Sequence, residues 1–126
     1  MTNVGALTIN ATNTVNLFGG TVTAASLTMG VNARLGFDIA APGRLDATGN
    51  AALAGTLNLK PFTPLPAGSK LVYTFLTCNG SLSGSIALAG TLPDKHFANI
   101  TTNTAVTPKA LILTVWRPGG TLILVW

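Results

Sequence analysis

The chain has 126 residues, enough for one domain with a real core. Only 8% of them are charged, Glu and Gln are absent, and the acids are Asp38, Asp46 and Asp94, so carboxylate-based catalysis has almost nothing to work with. The 7 Lys and Arg residues give a net charge of +4 but form no run, which argues against the clustered footprint that nucleic-acid phosphates require.

In chain order, apolar residues recur at spacing two or in short runs, broken by Gly or Pro roughly every eight to twelve residues. That is the pattern of many short strands, with no helical periodicity. The pattern predicts strands at Gly5–Ile9, Thr14–Phe18, Thr21–Met29, Arg34–Ile39, Arg44–Thr48 and Ala52–Leu59. Further on it predicts Lys70–Leu76, Ser81–Leu88, Phe97–Thr101, Ala110–Trp116 and Thr121–Trp126. Thr suits these strands because its branched Cβ fits a pleated surface. Residues 1–60 are rich in Thr, Asn and Gly, whereas 61–126 open with Pro61, Pro64 and Pro66 and carry most of the aromatics. Lys60–Ser69 reads as an excursion, because prolines cannot donate to a ladder.

Short repeats run through the chain. Ala-Leu-Ala-Gly-Thr-Leu occurs at Ala52–Leu57 and Ala87–Leu92, and Gly-Gly-Thr at Gly19–Thr21 and Gly119–Thr121. Repetition of Gly, small residues, Leu and Thr suits stacked rungs in which each turn covers the last. The expected fold is therefore all-β: a parallel β-helix (solenoid) forming one domain over 1–126, with an antiparallel β-sandwich as the alternative.

Two further stretches sharpen this. Asn32–Ile39 with Arg44–Leu59 resembles the last repeats of autotransporter passenger domains. Leu65–Leu76 followed by Gly80–Gly84 resembles that family's glycine–aromatic–leucine segment, and Phe18–Met29 resembles an ordinary passenger rung. The resemblance spans roughly residues 17–116. It implies a right-handed parallel β-helix exported to the cell surface, with stalk-forming rungs and a C-terminal end that caps the stack. No catalytic residues carry over, because these rungs hold none in the family.

The candidate sites are few. Asp94-Lys95-His96 is the one acid–base cluster, and it supplies at most two ligands, so it reads as a solvated turn after Pro93. Asp38 and Asp46 are expected to hold turn backbone or to pair with Arg34 and Arg44 across stacked rungs. Cys78, the only cysteine, reads as a small buried hydrophobe. The Thr-x-Thr pairs at Thr12/Thr14, Thr21/Thr23 and Thr102/Thr104 are too irregularly spaced for an ordered surface array. We expect no enzyme activity, no cofactor and no metal site.

Mean hydropathy is nevertheless high for a soluble monomer. No apolar stretch reaches the ~18 residues of a transmembrane helix, and few strands alternate as membrane barrels do. Leu111–Trp116, Arg117-Pro-Gly-Gly120 and Thr121–Trp126 read as a C-terminal hairpin cap, apolar on both faces. Such strands recruit other chains unless covered, which makes Leu111, Leu113, Val115, Trp116, Leu122, Leu124 and Trp126 the self-association candidates. The expected function is an extracellular structural module, a β-helical stalk or self-assembling fibre subunit. The alternative is an adhesin-like module binding a surface or glycan. Secretion or surface display is expected, although the N-terminus carries no signal-peptide pattern.

Overall fold

The computed structural model describes residues 2–9, 13–105 and 108–118. Its elements are all strands: β1 (Thr2–Ile9), β2 (Thr14–Leu17), β3 (Gly20–Met29), β4 (Arg34–Phe37), β5 (Gly43–Ala47) and β6 (Ala51–Leu53). There follow β7 (Thr56–Leu59), β8 (Lys70–Cys78), β9 (Leu82–Gly84), β10 (Ala87–Gly90), β11 (Phe97–Asn103) and β12 (Lys109–Trp116). The protein is all-β, as the spacing of apolar residues predicts.

The strands form two sheets. The larger runs β11-β12-β8-β5-β3-β6-β9 with β1 also on β3, and the smaller runs β10-β7-β4-β2. Up to β10, each return to a sheet lays a strand parallel to an earlier one. Val22 lies opposite Leu45 and Leu45 opposite Leu76. In the smaller sheet Val15, Leu35, Leu57 and Leu88 make one column. The last two strands break the rule, since β12 runs antiparallel to both β8 and β11. The larger sheet is thus mixed and the smaller wholly parallel, so an antiparallel sandwich does not describe it.

Packing follows from the columns. Leu17, Phe37 and Leu59 are stacked partners, all buried. Phe37 meets Phe75 edge-on across the interior, with ring centroids 6.4 Å apart. One apolar cluster joins both sheets. Burial of each large aliphatic side chain contributes on the order of 1.5–3 kcal/mol, the main term holding such a chain together.

Two predicted strands are each divided. Ala52–Leu59 breaks at Gly55, and Ser81–Leu88 breaks after Gly84; both glycines have positive φ, 77° and 74°. A Cβ at Gly55 would collide with the carbonyl of Ala33, and one at Gly84 with that of Leu53. The corners are tight because backbone bonds continue around them: Thr56 N–H donates to Ala33 O at 3.0 Å and Ala87 N–H to Gly55 O at 3.0 Å. The repeated hexapeptide is not in stacking phase. Ala87 pairs with Thr56, whereas Ala52 pairs with Thr28 and Ser83. The two copies share a local shape, a strand leading into a left-handed glycine, rather than equivalent places in the stack.

β12 has β8 on one edge and β11 on the other. The predicted hairpin partner Thr121–Trp126 lies outside the described residues.

Candidate functional site

β12 is a central strand, flanked by β8 and β11, with one buried face and one half-buried face. Leu111, Leu113 and Val115 point inward and are at most 1% exposed. As contact residues these three are corrected to core, since the chain's own interior already covers them. Trp116 is half-buried on the outer face, while Leu122, Leu124 and Trp126 lie outside the described residues.

The outer face carries rows across three strands. Phe97, Trp116 and Lys70 are successive cross-strand partners, and beside them run Asn99, Thr114 and Val72. The period of two puts Phe97, Asn99 and Thr101 outward, while Ala98 and Ile100 pack against the core. The Phe97 and Trp116 rings stack with centroids 5.8 Å apart and planes 26° apart. A groove of about 490 Å³ lies alongside, lined by Ser69, Lys70, Asn99, Thr101, Thr114 and Trp116, with Arg117 at its end. The sequence signal for this face is the alternation Phe97-x-Asn99-x-Thr101. It marks a half-buried strand but not which strands lie beside it.

The 60–69 excursion is fastened to the rest of the chain at Leu65. Its N–H donates to Nε2 of His96 at 2.9 Å, and its carbonyl accepts from Nη1 of Arg117 at 2.7 Å. His96 Nδ1 meets the Asp94 carbonyl at 2.8 Å, so Nδ1 carries the proton and Nε2 accepts. The expectation of a solvated turn fails for His96, which is 6% exposed and packs edge-on against Phe62. Its role is that of a buried tie, with both nitrogens engaged. Asp94 and Lys95 remain exposed on the turn.

The carboxylates are held separately. Asp46 pairs with Arg44 on its own strand at 2.8 Å and accepts from the Thr77 hydroxyl at 2.7 Å. Asp38 accepts from the Ala40 N–H at 2.9 Å and faces Lys60 at 3.6 Å. Asp38 thus holds turn backbone, the first of its two expected roles, and its ion partner is Lys60 rather than Arg34; Lys60 also lies 5.5 Å over the Phe18 ring. No group of three or more metal-ligating side chains occurs among the described residues. Cys78 is buried, its thiol donating to Gly49 O at 3.1 Å.

Burial raises the Tyr73 phenol above its ordinary value of 10.0. Its hydroxyl donates to Ile39 O at 3.2 Å, and the ring lines a crevice of about 410 Å³ beside Thr21 and Arg44. This crevice opens because β8 pairs with β5 only from Leu76 onward.

At the opposite end, β1 is bonded only to β3 and β2 only to β4. Their outer edges carry backbone groups without partners among the described residues. No charged residue precedes Arg34, so these edges lack the lysines that usually block strand addition.

Comparison with protein-family models, with curated proteins and with solved structures finds no match to this chain. Among the described residues no helix is long and apolar enough to cross a membrane.

Proposed function

We propose that the chain is a structural module: a short parallel β-helix, with β11 as the edge strand at one end and β1 and β2 at the other, that extends by strand pairing between the ends of successive copies. The single observation behind this reading is the uncharged edge of β1 and β2, to which no further strand is bonded among the described residues. It lies at the end of columns that already repeat through Val4, Ala24, Ala47 and Cys78. A parallel strand placed there would repeat the pairing β1 makes with β3. A head-to-tail contact that does not close gives a fibre. The resemblance to passenger-domain rungs supports a stalk at the cell surface. The module would act by backbone pairing and apolar stacking, without catalysis.

The test is sedimentation velocity and electron microscopy over a wide concentration range. Concentration-dependent polymers are expected for the native chain. Ala6→Lys/Thr8→Lys, which places two cations on exposed positions of β1, should give monomers. Native chain that stays monomeric throughout would overturn the reading.

A second reading, an adhesin-like module, draws on the aromatic and polar rows of the outer face.

A further inference from the structure

We infer that the outer face of β8, β12 and β11 is a binding site for an anionic polysaccharide, with Phe97 and Trp116 as its platform. Three observations converge on this. First, Phe97 is 50% exposed although it is a large aromatic on an edge strand, and its ring stacks on Trp116. Leaving that surface in water is unfavourable, and a pyranose ring presents an apolar C–H face that would cover it.

Second, the adjoining groove is lined by neutral hydrogen-bonding groups at strand spacing. Asn99 and Thr114 are cross-strand partners, and Thr101 follows one pleat further along. Hydroxyls and an amide in a row match the alternating donors and acceptors of sugar hydroxyls. The groove, at about 490 Å³, falls within the ordinary range of ligand clefts.

Third, its charge has one sign. Lys70 and Arg117 line the groove and, among the described residues, no carboxylate does. Asp38 and Asp46 are occupied elsewhere by Lys60 and Arg44. Arg117 is fixed in place by the Leu65 carbonyl, so part of its guanidinium is oriented before any ligand arrives. Two cations suit an occasional carboxylate or sulfate on a sugar chain. They are too few for the multiple phosphate contacts that give nucleic acids their affinity. The ligand class is therefore a sugar polymer bearing anionic substituents, either uronates or sulfate esters.

The site is independent of the strand-adding edge, so it stands or falls separately from the structural proposal. The experiment is isothermal titration calorimetry of the full chain with a galacturonate oligosaccharide, a sulfated galactose oligosaccharide and a neutral galactose oligosaccharide of equal length, and with a thymidine oligonucleotide as the competing anion. The Trp116 indole N–H is followed by NMR, its signal assigned by loss in Trp116→Phe. At least one anionic sugar should bind about tenfold tighter than the neutral one, a difference of about 1.4 kcal/mol, and shift that signal; which one does so identifies the substituent. Lys70→Gln should reduce the preference, Asn99→Ala should weaken binding several-fold, and Trp116→Ala should weaken it about tenfold or more. Trp116→Phe should retain most of it. Because Trp116→Ala could unfold the edge of the sheet, Phe97→Ser at the exposed partner provides a second loss of platform. Four results would each overturn the proposal: no binding of either anionic sugar, equal binding of neutral and anionic sugars, full binding by both platform variants, or tighter binding of a thymidine oligonucleotide.

Discussion

Leu65 and His96, far apart in sequence, are joined by a hydrogen bond of 2.9 Å from the Leu65 N–H to Nε2. The bond ties the proline-rich excursion to the turn that precedes β11. His96→Ala would leave that N–H without its acceptor and remove the ring from Phe62. The expected cost is on the order of 1–3 kcal/mol, read from the midpoint of urea unfolding. A change below a few tenths would show that the tie carries no load.

Gly55→Ala and Gly84→Ala each force a Cβ into a left-handed corner already closed by a backbone carbonyl. Each should destabilise by roughly 1–3 kcal/mol or more. Gly5→Ala is the control, since a Cβ there meets nothing within 4 Å. Urea unfolding of the three variants should separate the first two from the third.

Asp46 joins two strands by accepting from Thr77 while pairing with Arg44. Thr77→Val should cost about 1 kcal/mol or more, because the carboxylate loses a charge-assisted bond. Arg44→Gln should cost less, since that side chain is 48% exposed and such pairs contribute little. A double-mutant cycle with Asp46→Asn measures the coupling.

Tyr73 sets an alkaline limit. Its folded phenol holds its proton more tightly than the unfolded one, so in the window above pH 10.0 the unfolded chain loses a proton first. Stability that is full below that point should fall as pH rises toward the folded value. Phenolate absorbance of native chain and of Tyr73→Phe, with urea midpoints across the same range, checks this. A native chain whose midpoint stays as flat as that of Tyr73→Phe would contradict it.

The strand positions were legible in the sequence because they depend on local pattern. Apolar alternation and Gly punctuation place ten of the described strand regions to within a few residues, including the early Thr-rich ones. What stayed hidden depends on which strands become neighbours. Parallel partners such as Leu45 and Leu76 are joined by no short turn, so no local signal sets their register. The apolar outer face of β12 suggested an edge seeking a partner, when β8 and β11 already flank it. The hexapeptide repeat suggested equivalent rungs, but it encodes only a glycine corner. His96 looked solvated beside Asp94 and Lys95 because nothing in its neighbourhood shows that Leu65 folds back onto it.

The proposal that this chain is built to extend at β1 and β2 is tested most directly by hydrogen exchange at residue resolution as protein concentration rises. The account predicts that amides of Thr2–Ile9 and Thr14–Leu17 gain protection with concentration while those of β12 stay constant. It also predicts that Ala6→Lys/Thr8→Lys abolishes the gain. Protection at β1 and β2 that does not change with concentration, or a gain confined to β11, would contradict it.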